Sequence, residues 1–339
     1  MQIVFMNCLS RTVSSGRVET AQVWIGEEEG TWSLGWNMEA AEMDDSAQLA
    51  EEHWCEGGSW NELLFIYRHK LAEKLTEGYR PLIDGFLHEG LEQRSRNQTV
   101  QRLHCYSDLH PHDEVYTELT AWRRRKAASI HKAPYLVASN RLLRLLSVFL
   151  PQTVEELLQL PGMGNHKASV YGEELLTITS AVERNHSFPL DWVEERLGEE
   201  EYQQWNFRQQ EQKYKQDLER FRQREIVLHG MERGLNLDDI SSESGVVRRE
   251  LVEMLEQIEK EGGNTDPLLE RELTAVPEQE LLAIWSAYDE LGDTFLKPVM
   301  QRVYGEESHV SGGLDERYER LRLVRIRYRR REEAKADAG

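Results

Sequence analysis

The sequence predicts a mainly α fold, with a small N-terminal α+β domain, a central helical bundle and a C-terminal helix-turn-helix helical domain. β-Branched and apolar runs are concentrated in residues 1–40, whereas apolar residues recur at helical spacing between Gly and Pro turns after residue 116. At 339 residues the chain is long enough for two or three domains. The expected divisions are an α+β domain at 1–90, a polar linker at 91–115, the central bundle at 116–184, a connecting helix at 185–224, the helix-turn-helix region at 225–331 and a tail at 332–339.

The N-terminal residues predict a hairpin followed by a helix. Thr20–Gly26 and Thr31–Asn37 are strand-like segments joined by the turn sequence EEEG. Residues 41–53 are acidic and are expected to form a loop. An amphipathic helix then begins after the capping residue Ser59 and ends at Gly78. Its end, KLTEGY, after a Trp-rich hairpin is similar to the WGR module of DNA-associated proteins, but the Trp-Gly-Arg triplet is absent and we assign no role to this domain.

The central segment predicts four or five short helices separated by tight turns. A helical run, AWRRRKAA, is followed by a helix that Asn140 is expected to cap and Pro151 to end. Thr153 and Glu156 have the spacing of a capping box for the next short helix. The turn PGMGNHK then leads into a last helix, ASVYGEELLTIT.

Four motifs in this segment, P-Y-x-V-x-S-N, E-E-L-L-Q-L, P-G-M-G-x-x-K and Y-G-E-E-L-L, resemble the HRDC domain, which was first defined at the C-termini of RecQ-type helicases and RNase D. Their order and spacing agree over residues 116–184. The resemblance implies an accessory unit that binds nucleic acid and has no catalytic role.

The charge distribution also indicates a local anion site in a chain whose net charge is −20. Residues 1–92 hold 6 Lys/Arg against 17 Asp/Glu, residues 116–184 hold 9 against 6, and residues 317–331 hold 8 against 1. Phosphate is repelled by the acidic chain as a whole, so nucleic-acid binding requires such local positive charge. The alternative is that these Arg-rich faces are ordinary solvated surface.

Two sets of residues in the central segment are candidates for phosphate contact. In the turn, Gly162 and Gly164 allow close backbone approach at a helix N-terminus and Lys167 adds charge, although such glycines also simply close a tight turn. Tyr135 and Tyr171 are possible base-stacking residues, but we favour the cations because a tyrosine at a helix boundary more often packs. The candidate cations are Arg123, Arg124, Arg125, Lys126, Lys132, Arg141 and Arg144.

Residues 188–224 predict a highly charged connecting helix or a coiled-coil contact, and a helix-turn-helix pattern follows. Asn236 caps the first helix of this pattern and Gly245 marks the turn. Arg248 and Arg249 begin the candidate recognition helix, which is expected either to contact DNA or to serve as a unit for protein contacts.

The tail is similar to the C-terminal region of some RecQ-type helicases, in which a Leu-Lys-Pro step and a Y-x-x-L-R-L-V-R helix recur. The corresponding residues here are Leu296 to Pro298 and Tyr318 to Arg325. Arg322, Arg325 and Arg329 recur at helical spacing and predict a basic face for nucleic acid.

Several classes of function are not supported by the sequence. The chain lacks a phosphate loop, a nucleophile elbow and a dinucleotide-binding fingerprint. His104, Asp108, His110, His112 and Asp113 are the nearest approach to a metal cluster, but their spacing is not that of a known site, so we predict no metal and no cofactor. The cysteine spacing, and the lack of a signal or membrane-spanning segment, predict a cytoplasmic protein.

These observations together predict a non-catalytic accessory protein that binds DNA or RNA, with a repair or recombination helicase as a possible partner. The alternative is a protein-interaction adaptor that has kept both helical folds without contacting nucleic acid. A third hypothesis, an unrecognised enzyme, would place its site near His104–Asp113.

Overall fold

The computed structural model describes residues 1–38, 51–83, 94–305 and 313–337. It is 64% helical and has a small antiparallel sheet at the N-terminus, which confirms the predicted fold class. The chain divides into two compact units, Met1–Tyr214 and Lys215–Gly339. The finer domain boundaries given above stay a prediction.

The first unit begins with a five-stranded antiparallel sheet of order β4-β3-β2-β1-β5. The predicted hairpin is confirmed, since β2 pairs with β3 through a turn at Glu29 and Gly30, both of which have positive φ. Residues 51–53, predicted as loop, instead belong to β4 because Glu52 pairs with Trp36 of β3. Residues 41–50 lie outside the described residues. The strands are β1 Gln2–Thr12, β2 Val18–Glu28, β3 Thr31–Met38, β4 Glu51–Gly57 and β5 Arg80–Pro81.

Helix α1, Trp60–Thr76, covers one face of this sheet. The predicted cap is confirmed: the Ser59 hydroxyl accepts the backbone N–H of Glu62 at 3.2 Å. Tyr67 meets Phe5 of β1 edge to face, with 5.9 Å between ring centroids. Burial of such apolar residues on both elements gives the α+β domain its core.

The remainder of the first unit is helical. Residues 91–115, predicted as a polar linker, instead contain helix α2, because Leu103 and Cys105 bury an apolar stripe that the polar composition hides. Residues 91–93 lie outside the described residues. The helices are α2 Arg94–Leu109, α3 Asp113–Ser129, α4 Pro134–Val137, α5 Asn140–Phe149, α6 Val154–Leu157, α7 Asn165–Thr179, α8 Trp192–Arg196 and α9 Glu199–Glu232, the last of which continues into the second unit.

Local capping sets the helices of the central bundle. Ser139, one residue before the predicted Asn140, caps α5 by accepting the backbone N–H of Leu142 at 3.2 Å. Thr153 caps α6 as predicted, accepting the Glu156 N–H at 3.3 Å. The apolar side of α5 lies at the centre of the bundle core, where Leu143, Leu145, Leu146 and Phe149 are fully buried.

The second unit is also helical, and its first two complete helices match the predicted pattern. Asn236 and Asp239 form a capping box at the start of α10, and Gly245 ends that helix with φ of +72°. The long C-terminal helix α15 contributes Leu321, Val324 and other buried residues to one core. The helices are α10 Leu237–Ser244, α11 Arg248–Lys260, α12 Asp266–Thr274, α13 Glu278–Leu291, α14 Leu296–Tyr304 and α15 Leu314–Asp337.

None of the described helices has the length and apolar character that a membrane crossing requires.

Candidate nucleic-acid interface

Helix α3 divides its four consecutive cations into two tethered and two open side chains. Arg123 donates to the Ala138 carbonyl and to Asn140 Oδ1, both at 2.8 Å, and so ties α3 to the start of α5. Lys126 pairs with Glu174 of α7 at 2.5 Å. Arg124 and Arg125 are exposed and make no ion pair with any described residue. Adjacent residues of an α-helix point about 100° apart, so the four consecutive cations cannot all lie on the face that packs against α5 and α7.

Glu174 anchors the neighbouring face of α3. Its carboxylate accepts from Lys126 and from the Trp122 Nε1–H at 2.6 Å, and these two hydrogen bonds, that of Lys126 first, lower the pKa of Glu174. The Lys126 ammonium also lies 5.8 Å from the centroid of the Tyr171 ring. Tyr171 itself is only 8% exposed, so this tyrosine packs in the core and offers no face for a base.

The short helix α4 presents a second open region. It follows His131, which has φ of +52°, and the exposed Lys132, which makes no ion pair with a described residue. Tyr135 is 70% exposed and Leu136 is 55% exposed. The sequence alone favours the cations, whereas this exposure makes Tyr135 a candidate for base stacking as well. Helix α4 has only four residues, and it buries Val137 but leaves the Tyr135 ring in solvent.

The two cations of α5 have different surroundings. Arg141 is exposed and makes no ion pair within the described part of the chain. It lies near His104, whose pKa is lowered by burial first and by the Arg141 charge second. Arg144 pairs with Asp113 at 3.3 Å and stacks over the Tyr116 ring at 4.3 Å, so its charge is partly engaged.

The glycine turn before α7 contains one glycine that its backbone conformation requires, Gly162, and one that it does not, Gly164. Gly162 has φ of +88°, which favours glycine whatever the ligand. Gly164 is the N-cap of α7 with φ of −94°, and a Cβ there would meet nothing within 4 Å. It supplies no side-chain cap to the first N–H groups of the helix. Lys167, in the first turn, makes no ion pair with a described residue.

Five cations of the central bundle therefore keep their charge uncompensated by any described carboxylate. They lie on α3, on the connection from α3 to α4, on α5 and on α7, and α3 contacts each of the other three helices. We call them the unpaired cation set: Arg124, Arg125, Lys132, Arg141 and Lys167.

The two cations that were predicted to begin the recognition helix have different surroundings at the start of α11. Arg248 is paired with Asp238 at 2.7 Å, with Glu319 at 2.6 Å and with Glu272, so it joins α10, α11, α12 and α15 and its charge is engaged within this unit. Its neighbour Arg249 is 75% exposed and makes a longer contact, 3.4 Å, with Glu253.

The Arg-rich helix α15 does not present the basic face that its spacing predicts. Arg322 pairs with Glu253 at 3.0 Å, Arg325 pairs with Glu256 at 2.5 Å, and Arg329 pairs with Asp293. Other arginines of this helix are paired in the same way: Arg320 with Glu280, Arg327 with Glu270, Arg330 with Glu259 and Arg331 with Asp289. Their carboxylate partners neutralise these arginines, so the predicted basic face is not available to nucleic acid.

The metal-like residues of the sequence serve separate structural roles. Asp108 accepts the Trp205 Nε1–H at 3.0 Å, and His110 stacks on Tyr106 with 4.2 Å between ring centroids. Asp113 is the first residue of α3 and pairs with Arg144. Across the described residues, no three His, Cys, Asp or Glu side chains are grouped so that they could hold a metal ion.

The central bundle consists of short helices, with an exposed tyrosine after Pro134 and a glycine turn at the N-terminus of α7. Residues 112–179 match the family model of the HRDC domain, so this part of the chain is an HRDC domain and the central resemblance is confirmed. HRDC domains generally bind nucleic acid and are associated with helicases and RNases. Comparison with curated proteins and with solved structures gives no match. The resemblance of the second unit to RecQ-type helicases stays a prediction.

Proposed function

We propose that this chain is a non-catalytic protein that binds single-stranded nucleic acid through its HRDC domain. The observation that carries the proposal is that the HRDC domain holds both the unpaired cation set and a 70% exposed aromatic ring, that of Tyr135. The arginines of α15 are also numerous in sequence, but those named above have carboxylate partners, so that helix offers a ligand less open charge than the central bundle does.

The two kinds of side chain would divide the recognition between them. Arg and Lys contact phosphate without reading sequence, and each contact releases counterions. An exposed tyrosine ring stacks on any unpaired base, since every base has a π face. Stacking requires a base that is free of its duplex neighbours, and this favours a single strand.

The absence of catalysis and the association with a repair or recombination helicase are parts of the same proposal. The support for the first is that the sequence lacks the phosphate loop and the other catalytic motifs named above. The support for the second is the association of HRDC domains with helicases. The HRDC domain would then hold a nucleic-acid strand while the helicase acts on it.

The experiment measures binding of a fluorescent single-stranded oligonucleotide by anisotropy over a salt series, using the full chain. The triple variant R124A/R125A/K132A removes three members of the unpaired cation set. We expect the slope of log K against log salt to fall in magnitude by about 2, since each phosphate contact on a single strand contributes about 0.7.

The matched control, K213A/K215A/R222A, removes the same charge from exposed positions of α9 that make no ion pair with a described residue. If both triple variants weaken binding equally, the effect is one of total charge and the assigned surface is incorrect.

A second candidate function, a protein-interaction adaptor, is favoured by the ion pairing of the second unit. Arg248, Arg322 and Arg325 are held by carboxylates, so its helix-turn-helix arrangement has few cations left for phosphate. If the adaptor is the whole function, the oligonucleotide forms no complex at any salt concentration.

A further inference from the structure

A pocket of about 540 Å³ opens in the second unit, where helices α11, α14 and α15 begin. Its volume lies within the range of sites that take a small ligand or a bulky side chain. The nucleic-acid proposal makes no use of this pocket, which is in the other unit from the HRDC domain. Its apolar lining consists of Val252, Leu296, Leu314 and Tyr318.

The cations that line the pocket are already engaged. Arg248 has three carboxylate partners, Arg322 pairs with Glu253 and Glu256, and Arg249 pairs with Glu253. A ligand carboxylate or phosphate would therefore have to compete with an existing ion pair for each of these arginines. The pocket is not an anion site.

The uncompensated charge at the pocket is negative. Asp315 and Glu316 line it from the first turn of α15, and neither lies within ion-pair distance of a cation in the described part of the chain, although the charge of Glu316 acts on Arg320. Both carboxylates lie at the positive end of the α15 dipole, where negative charge is favoured. An occupant that combines an apolar group with positive charge would complement both features of the pocket.

We propose that this pocket binds a basic segment of a partner protein, with one bulky apolar side chain inserted among Val252, Leu296 and Leu314 and flanking Lys or Arg side chains against Asp315 and Glu316. Burial of the apolar group supplies most of the affinity and the charge pairs select the partner. Nucleic acid and acidic peptides are excluded by repulsion from the same carboxylates. The inference does not rest on the proposed function of the HRDC domain.

The probe is a blocked synthetic peptide with one leucine flanked on both sides by lysines. Binding is followed by shifts of the Leu and Val methyl resonances of the full-length chain, which report directly on Val252, Leu296 and Leu314. We expect these signals to move and the variant D315N/E316Q to bind about fivefold more weakly, because two exposed ion pairs are lost. These substitutions keep the shape of both side chains, so the fold is retained.

Two comparison peptides and one control variant separate the proposal from general attraction to an acidic protein. Replacing the leucine with serine, or the lysines with glutamates, should abolish the methyl shifts. The control E232Q/E278Q removes two exposed carboxylates at other positions and should bind as the unaltered chain does. Equal binding of the serine peptide, equal weakening by the control, or the absence of shifts at these three residues would overturn the proposal.

Discussion

Tyr135 and Tyr171 show how two residues of one type acquire different roles within a single domain. The Tyr171 ring is 8% exposed, lies 6.0 Å from Trp122 and is covered by the Lys126 ammonium. The Tyr135 ring is 70% exposed and belongs to a helix too short to bury it. Of these two tyrosines, Tyr135 therefore offers a free aromatic face in a domain that also carries open cations.

Replacement of Tyr135 by alanine should weaken binding of single-stranded oligonucleotide without changing stability. One stacked base is worth about 1 to 3 kcal/mol, which corresponds to a loss of about fivefold to a hundredfold. Tyr135→Phe keeps the ring and should bind as the unaltered chain does. Anisotropy gives the affinities and circular dichroism checks the fold.

The neighbouring Leu136 provides a control because it is 55% exposed on the same helix. Leu136→Ala should have little effect on affinity. If it weakened binding as much as Tyr135→Ala, the contact would be a general apolar one and base stacking would not explain it.

In the turn before α7, Gly162 and Gly164 allow a structural role for glycine to be distinguished from a role in phosphate binding. The sequence allowed both interpretations for its glycines. Gly162 is explained by its φ of +88° alone, whereas the φ of −94° at Gly164 is open to any residue. Serine is at least as good as glycine at an N-cap, so helix stability does not account for glycine at position 164.

Gly162→Ala should lower the free energy of unfolding by about 1 to 2 kcal/mol, because alanine is strained at that φ. Gly164→Ser should leave stability unchanged or raise it by a few tenths of a kcal/mol, since its hydroxyl would accept one of the first N–H groups of α7. That hydroxyl would also compete with a bound phosphate, so we expect affinity to fall by about tenfold. Urea unfolding and anisotropy measure the two effects. Unchanged affinity of Gly164→Ser would show that the turn only joins two helices.

Most secondary-structure boundaries followed from local chemistry that the sequence displays directly. Ser59, Thr153 and Asn236 cap helices where their side chains predict a start, and Gly245 ends one where a left-handed residue is needed. Helix α2 was missed because its apolar stripe is narrow and its composition is polar. A helix of this kind is stabilised by tertiary packing, which a single segment does not reveal.

The candidate site was less predictable, because ion pairing joins distant parts of the chain. Arg325 and its partner Glu256 are 69 residues apart, and Arg330 and Glu259 are 71 apart. The spacing of the arginines along α15 predicts that they share one face of the helix, but it does not reveal the carboxylates of other helices that pair with them. Exposure of Tyr135 likewise depends on what surrounds α4. The sequence therefore located positive charge in the central segment and in the C-terminal helix, but it could not show that the arginines of the latter have carboxylate partners.

Acid should destabilise the folded chain through carboxylates that are held ionised in both units. Arg184 donates two hydrogen bonds of 2.7 Å to the Glu156 carboxylate, and this pairing is the main reason why the pKa of Glu156 is lowered from its ordinary 4.5. In the second unit Arg329 lowers the pKa of Asp293 in the same way. Protonation also reduces the self-repulsion of a chain with net charge −20, an opposing effect that only a matched variant can remove.

Glu156→Gln isolates one such group. A depressed folded-state pKa stabilises the fold above the unfolded-state value, near pH 4.5, and this stabilisation is lost as the pH falls through the folded-state pKa. The difference in unfolding free energy between the unaltered chain and Glu156→Gln should thus be constant from neutral pH to about pH 5 and should shrink below about pH 4.5. Urea unfolding at several pH values measures it. The exposed Glu173, changed to Gln, is the control, and an equal pH dependence of both differences would show that the Arg184 pairing is not responsible.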